Sequence, residues 1–152
     1  DVYGLCVEEM AKLKETLSKP NIECIITGDK DGMTAQTNAF YLSRVIGNLL
    51  SNSAKFTESG TITLTCNIDK EKGQLVISVT DTGIGIPEEE RAKIFDRFYK
   101  VDKAHSGKGS GLGLSIAKEL LRRMGEDISV SSEKGVGTEF TFTIHVYRKP
   151  EE

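Results

Sequence analysis

The 152 residues are enough for one domain with its own hydrophobic core, and 28% charged against 38% hydrophobic residues is an ordinary globular balance. A net charge of −3 without a dense basic stripe argues against a nucleic-acid partner, and no apolar run indicates a transmembrane helix or a signal peptide. Cys6, Cys24 and Cys66 are scattered and lack C-x-x-C spacing, which indicates reduced, partly buried thiols of a cytoplasmic domain rather than a disulfide framework or a metal site.

The first 37 residues predict a helix followed by a β-hairpin. Apolar residues recur at three- to five-residue spacing in a Lys/Glu-rich segment, at Leu5, Met10, Leu13 and Leu17. This spacing predicts an amphipathic helix that Pro20 ends. Residues 22–27 are predicted as a strand, 28–32 as a turn and 33–37 as the partner strand.

A second helix, capped by Asn38, carries two stripes of different chemistry. Its core stripe consists of Leu42, Val45, Ile46, Leu49, Leu50 and Ser53. The other stripe, Asn48, Asn52 and Lys55, shares one helix face because of its helical spacing. This stripe is either a solvent-exposed polar face, or an amide pair and an ammonium group aimed at a metal–phosphate group, since an amide oxygen suits Mg²⁺.

An Asp-Gly motif follows the next two strands. Residues 61–68 and 75–80 are predicted as strands joined by a hairpin turn. The second strand leads to Asp81, after which Gly83 and Gly85 permit positive φ and close approach of the backbone to a ligand. One interpretation is that the Asp81 carboxylate binds the amino edge of a planar ligand. The alternative is that Asp81 is a solvated residue in a tight loop.

The segment after this motif predicts a helix and then a long loop. The helix begins at Pro87 with acidic residues in its first turn, where the helix dipole favours them. Ile94, Phe95 and Phe98 form its apolar face, which serves either the core or a ligand wall. Residues 99–110 form a polar, glycine-containing loop of a length that is usually functional or mobile.

A glycine-rich helix start and two strands complete the chain. The helix is predicted over residues 112–124, where exposed N–H groups at its start suit an anion, and Gly125 ends it. Residues 127–132 and 138–147 are predicted as strands joined by a turn at 135–137.

Five motifs occur in order: Asn48-Leu-Leu-Ser-Asn52-Ser-Ala-Lys55-Phe-Thr, Asp81-Thr-Gly-Ile-Gly-Ile-Pro87, Ile94-Phe-Asp-Arg-Phe-Tyr-Lys100, Gly107-Lys-Gly-Ser-Gly-Leu-Gly-Leu114 and Gly135-Val-Gly-Thr138. This series resembles the ATP-binding catalytic domain of bacterial sensor histidine kinases, in the superfamily shared with type II topoisomerases, mismatch-repair proteins and heat-shock chaperones. The resemblance implies an α/β (α+β) two-layer sandwich with a mixed, mostly antiparallel sheet, helices on one face and a mobile ATP lid. All 152 residues are expected to form this one domain, cut from a longer protein.

The resemblance also implies a set of ATP-binding residues: Asn48, Asn52, Lys55, Asp81, Gly83, Gly85, Ile86, Phe98, Tyr99, Lys100, Gly109, Ser110, Gly111, Leu112, Gly113, Leu114 and Thr138. Asn48 would coordinate Mg²⁺ and form the catalytic pair with Lys55. Asp81 would accept the adenine amino group. Residues 99–110 would be the lid, in which Lys100 contacts phosphate.

Further implied roles concern the base and the phosphates. Ile86 and Phe98 would be apolar neighbours of the base, and Asn52 would contact phosphate or its water shell. The glycines of residues 109–113 would bring backbone N–H groups to the phosphates.

Two departures from the family pattern bear on chemistry. Arg44 stands four residues before Asn48, where members that hydrolyse ATP often carry a glutamate, and a guanidinium cannot act as a general base. We therefore expect phosphotransfer with little intrinsic hydrolysis. Ser110 keeps the hydroxyl of the usual threonine, and Glu126 replaces a common second glycine, which bears on a turn.

The chain lacks a phosphoacceptor motif, because neither His105 nor His145 has the His-Glu context that sensor kinases use. The resemblance thus implies that the acceptor histidine lies on a separate dimerisation domain of the parent protein, which passes phosphate to a response regulator. The isolated domain is expected to be a monomer that binds Mg-ATP without efficient self-phosphorylation. The parent would be a homodimer, with this part in the cytoplasm and making no direct membrane contact.

Two other functions fit the same fold: an anti-sigma-factor-type serine kinase, and a nucleotide-binding interaction module. The Ile94-Phe-Asp-Arg-Phe-Tyr motif and the Gly-Leu-Gly-Leu loop favour the histidine kinase. A helical hairpin with a His-Glu motif upstream of Asp1 would support it further.

Overall fold

The computed structural model describes residues 1–96 and 113–146. The elements in these ranges are α1 (Val2–Thr16), β1 (Ile22–Gly28), α2 (Ala39–Phe56), β2 (Gly60–Asp69), β3 (Gln74–Asp81), a 3₁₀ helix (Glu88–Lys93), α3 (Gly113–Arg123), β4 (Ile128–Glu133) and β5 (Gly137–His145). The strands form one sheet in the order β1-β2-β3-β5-β4. β1 and β2 are parallel, whereas the other neighbouring strands are antiparallel, so the predicted mixed, mostly antiparallel sheet is confirmed.

The two faces of the sheet differ in chemistry because side chains alternate along each strand. The apolar face of the three central strands is buried and includes Ile62, Leu64, Cys66, Leu75, Ile77, Val79, Phe140, Phe142 and Ile144. The opposite face carries hydroxyl pairs such as Ser78 Oγ and Thr141 Oγ1, which lie 3.0 Å apart. Residues of α1, α2 and α3 join the apolar face in one core cluster, which confirms the predicted two-layer sandwich.

Helix α2 lies at the centre of this arrangement. All six residues of its predicted core stripe are buried. Asn38 caps the helix as predicted, because its Oδ1 accepts a hydrogen bond of 3.0 Å from the Tyr41 amide. Burial of a leucine or isoleucine side chain contributes about 1.5–3 kcal/mol, so this stripe is a main source of stability.

The predicted partner strand at residues 33–37 is wrong. β1 pairs in parallel with β2 instead, through a crossover that contains α2. Met33 is fully buried, and its carbonyl accepts a hydrogen bond of 2.8 Å from the Val2 amide at the start of α1. The backbone and side chain of this segment are therefore used to anchor α1 rather than to extend the sheet.

The helix predicted from Pro87 is only the 3₁₀ helix Glu88–Lys93, none of whose residues is buried. Because it buries no apolar face, packing does not extend it into a longer α-helix. Ile94, which follows, is buried, and the Phe95 ring meets the Phe140 ring edge-on at 6.1 Å between centroids. Ile94 and Phe95 therefore belong to the core, one of the two predicted alternatives.

The three cysteines are free thiols, as predicted. Cys6 on α1 and Cys66 on β2 are buried with their sulfur atoms 3.5 Å apart, whereas Cys24 is half-buried. Within the two described ranges, no helix has both the length and the apolar composition required to cross a membrane.

Candidate nucleotide site

A pocket opens between the C-terminal half of α2, the loop after β3 and the start of α3. It is lined by Asn52, Phe56, Asp81, Ile84, Gly85, Ile86, Leu114 and Thr138. All but Phe56 and Ile84 belong to the predicted ATP-binding set. The lining is apolar with a few polar groups, as is usual for a small-molecule site.

Asp81 supplies the buried carboxylate of this pocket. It is the last residue of β3, lies opposite Thr138 in the register with β5, and is only 4% exposed. Its Oδ1 accepts a hydrogen bond of 2.9 Å from the Gly83 amide. Burial raises the pKa of the Asp81 carboxyl, and the hydrogen bond from Gly83 opposes this rise. Because the carboxylate has lost most of its water, it is suited to accept a hydrogen bond from a ligand.

The loop after Asp81 needs its two glycines for different reasons. A Cβ atom on Gly83 would lie 2.3 Å from the Phe56 carbonyl oxygen, so this residue permits contact with the end of α2. Gly85 has φ +72°, and a Cβ there would lie 2.1 Å from the Glu133 carbonyl oxygen. The Ile84 amide donates to the Phe56 carbonyl at 3.1 Å, so the loop is held between α2 and the β4–β5 turn.

Ser132, at the end of β4, holds the other side of this loop and was missed by the sequence analysis. Its hydroxyl accepts a hydrogen bond of 2.7 Å from the Ile86 amide and lies 2.8 Å from Thr138 Oγ1. The Arg91 guanidinium donates to the Ser132 carbonyl oxygen. The available signal was a hydroxyl residue at an inward-facing position of a predicted strand, where an apolar residue is expected.

The amide stripe of α2 meets two different environments. Asn52 lines the pocket, whereas Asn48 Nδ2 donates to the Gly113 carbonyl of α3 at 3.2 Å. Lys55 Nζ lies 5.4 Å from the centroid of the Phe56 ring, within the range of a cation–π interaction. The stripe thus runs from the pocket toward the start of α3.

Several predicted site residues lie outside the described residues: Phe98, Tyr99, Lys100, Gly109, Ser110, Gly111 and Leu112. His105 and the whole predicted lid lie there too. Of the glycine-rich segment, Gly113 begins α3 and Leu114 lines the pocket.

Glu126 has a defined contact in the turn after α3. Its carboxylate accepts a hydrogen bond of 3.0 Å from the His145 backbone amide and contacts the His145 ring. Gly125, with φ +75°, ends the helix as predicted. Glu126 therefore joins this turn to the end of β5, which agrees with the expectation that it bears on a turn.

Residues 37–148 match the family described as histidine kinase-, DNA gyrase B-, and HSP90-like ATPase, and the chain belongs to this family. The matched range contains every residue that lines the pocket.

Similar curated proteins include sensor proteins and sensor histidine kinases. The chain is 43% identical over 119 residues to the aerobic respiration control sensor protein ArcB of Escherichia coli (strain K12), a match that covers 76% of this chain and 15% of ArcB. It is 46% identical over 106 residues to the sensor histidine kinase WalK of Bacillus subtilis (strain 168), covering 68% of this chain and 17% of WalK. The chain thus spans only a small part of the length of these relatives.

A solved structure gives the same assignment. Full-length ShkA in complex with AMPPNP superposes with a TM-score of 0.82 at 31% identity, over 95% of this chain and 30% of ShkA. Together with the family match, this likeness shows that the chain has the histidine kinase-type ATPase fold.

Proposed function

We propose that this chain binds Mg-ATP and donates the γ-phosphate to a histidine on a separate phosphoacceptor domain. The observation that carries the proposal is the buried Asp81 carboxylate in a mostly apolar pocket beside the amide stripe of α2. The AMPPNP in the ShkA complex, an ATP analogue, supports the same kind of ligand.

The adenine base would lie in the pocket with its amino group on Asp81. An exocyclic amine donates hydrogen bonds, and an ionised carboxylate only accepts them, so the pair is complementary. Ile84, Ile86 and Leu114 line the same pocket and would contact the base. Gly83 and Gly85 keep the loop backbone close to these groups.

The phosphates would extend from this pocket along α2. Asn52 lines the pocket, and Asn48 lies one turn further toward the helix start on the same face. Lys55 would add a positive charge near the phosphates. The backbone of the glycine-rich segment at 109–113 would donate N–H groups to them, and Lys100 of the predicted lid would also contact phosphate.

Mg²⁺ fits the donor chemistry of this face. An amide oxygen is a hard ligand, and Mg²⁺ usually takes few protein ligands together with phosphate oxygens. The Nδ2 of Asn48 is engaged by Gly113, and its amide oxygen would hold the metal. When bound, Mg²⁺ would neutralise charge on the phosphates, while Asn48 and Lys55 orient them for in-line transfer.

Hydrolysis should be slow in this chain. Arg44, the residue one turn before Asn48 on α2, is exposed and cannot accept a proton from water. The chain would therefore hold ATP until a nucleophile arrives from another domain.

That nucleophile would belong to another part of a longer protein. His145 lies at the opposite end of β5 from the pocket-lining Thr138, about 23 Å away at the rise of a strand. We propose a homodimeric parent sensor whose acceptor histidine passes phosphate to a response regulator. The chain itself would be a monomeric, cytoplasmic part of that sensor.

The test has two stages. Calorimetric titration of the chain with Mg-ATP should show binding, which Asp81→Asn should weaken by about 100-fold. A longer form of the protein, extended upstream through its phosphoacceptor domain, should then acquire acid-labile, base-stable phosphate from labelled Mg-ATP. Loss of that label in Asn48→Ala supports the proposal. Binding without any label would contradict the histidine-kinase reaction.

A further inference from the structure

One side chain from the connection between α1 and β1 contacts the C-terminal end of α2. Lys19 lies in this connection, and its side chain is 27% exposed. Its ammonium group lies 2.9 Å from the Ala54 carbonyl oxygen, 3.0 Å from that of Thr57 and 3.4 Å from that of Lys55. A fourth acceptor, Glu58 Oε1, lies at 3.2 Å.

The Ala54 and Lys55 carbonyls need a partner because they are among the last four of α2, which have none within the helix, and the Thr57 carbonyl follows directly after them. α2 ends at Phe56 and continues into Thr57 in an extended conformation, with φ −116° and ψ 120°. It therefore lacks the left-handed glycine cap that commonly satisfies such carbonyls. Lys19 takes that role, and its positive charge also matches the negative end of the helix dipole.

The turn that Lys19 holds is also one wall of the nucleotide pocket. Phe56 lines the pocket, and its carbonyl accepts the hydrogen bond from the Ile84 amide in the Asp81 loop. Lys55 belongs to the same turn, and Asn52 lies one turn earlier. Displacement of this turn would therefore shift both the Asp81 loop and the polar face of α2.

We propose that Lys19 is a positioning residue for the nucleotide site, which it shapes by fixing the last turn of α2 against the Asp81 loop. This inference rests on the proposed binding of ATP. Lys19 acts through backbone carbonyls, so it needs no contact with the nucleotide. Its pair with Glu58 contributes little, because Glu58 is 73% exposed.

Lys19→Met tests this inference, since methionine keeps most of the apolar stem and removes the ammonium group. We expect Mg-ATP to bind about tenfold more weakly, because hydrogen bonds from a charged group are lost and the site is displaced. Lys19→Arg should recover part of the affinity. Lys12→Met is the matched control, because Lys12 is 68% exposed and pairs with Glu9 on α1.

Hydrogen exchange separates positioning from general loss of stability. In Lys19→Met, the Ile84 amide should exchange faster, whereas the Ile77 amide in the centre of β3 should keep its rate. Equal acceleration at both amides would indicate general destabilisation and overturn the inference. If Lys19→Met does not fold, Lys19→Gln, which keeps a neutral donor, undergoes the same comparison.

The outcomes for ATP are distinct. If the wild-type chain binds Mg-ATP and Lys19→Met binds it equally well, the positioning role is wrong and the proposed function stands. If the wild-type chain does not bind Mg-ATP, the proposed function fails and this inference fails with it. Weaker binding by Lys19→Met, with Lys12→Met unchanged, supports both.

Discussion

The apolar stripe and the amide stripe of α2 belong to one helix but meet different parts of the protein. Every apolar residue of the first stripe, Leu42, Val45, Ile46, Leu49 and Leu50, is at most 1% exposed. Asn48 and Asn52 of the second stripe are half-buried and face α3 and the pocket. The first stripe therefore stabilises the fold, whereas the second places polar groups at the pocket and at the start of α3.

This difference has an energetic basis. Removal of an apolar side chain from water is favourable wherever it is packed, so the first stripe needs only a matching core. A half-buried amide gains little unless it has a partner, and the structure supplies Asn48 with the Gly113 carbonyl from a distant segment. Substitutions in the two stripes should therefore separate stability from binding.

The largest expected effect is on stability. Leu49→Ala should lower the free energy of unfolding by about 2–5 kcal/mol, because Leu49 is fully buried and the substitution leaves a cavity. Urea denaturation measures this change. Phe40 lies on the same helix but is 70% exposed, so Phe40→Ala should change stability much less. Equal losses in the two variants would contradict the division of α2 into two stripes.

Asp81→Asn should weaken nucleotide binding without lowering stability, the reverse of Leu49→Ala. We expect Mg-ATP binding to weaken by about 100-fold, since the pair lost involves a charged acceptor and the amide offers a donor in its place. The melting temperature should stay the same or rise, because a desolvated charge is removed. Calorimetry and thermal denaturation measure both quantities. Asp31→Asn, in an exposed turn, is the control, and unchanged affinity in Asp81→Asn would exclude the adenine contact.

The burial of Asp81 should also make stability depend on pH. Burial raises the pKa of Asp81 in the folded protein. The contribution of this carboxyl to the free energy of unfolding is therefore fully present below the ordinary pKa of aspartate. It is lost as pH rises through the raised pKa. From about pH 4 to pH 7, Asp81→Asn should gain stability relative to wild type. Urea denaturation of both proteins across this range measures the difference, and a constant difference would contradict the burial effect.

ATP binding should depend on pH in the opposite direction to this stability term. Protonation of Asp81 removes the charged acceptor, so wild-type affinity should fall as pH falls through the raised pKa. Calorimetric titrations over the same range check this expectation.

Sequence spacing was sufficient for some parts of the molecule. The core stripe of α2 follows from helical periodicity alone, because burial depends on which face an apolar residue occupies. The position of Asp81 at a strand end follows from the alternating run before it. Both features are local in sequence.

Other parts depend on contacts that local patterns do not specify. The turn before residues 33–37 predicts a hairpin with β1, but Met33 is buried and its carbonyl accepts a hydrogen bond from the Val2 amide, so this segment anchors α1 and does not extend the sheet. In the sequence, Lys19 is only a charged residue in a linker. The structure shows its contacts with the end of α2, which is distant in sequence. Ser132 likewise gains its role only when the Asp81 loop and β5 meet at its hydroxyl.

Ser132→Ala should produce the smallest of these effects and test the side of the pocket that spacing did not reveal. The Ile86 amide would lose its acceptor and Thr138 its partner, so we expect stability to fall by about 1–2 kcal/mol. Mg-ATP binding should weaken by several-fold, because Ile86 and Thr138 line the pocket. Ser129→Ala is matched to it, since Ser129 lies on the same strand with its side chain on the exposed face. If both alanine variants bind and unfold alike, the Ser132 hydroxyl does not hold the loop, and α2 alone positions the Asp81 side of the site.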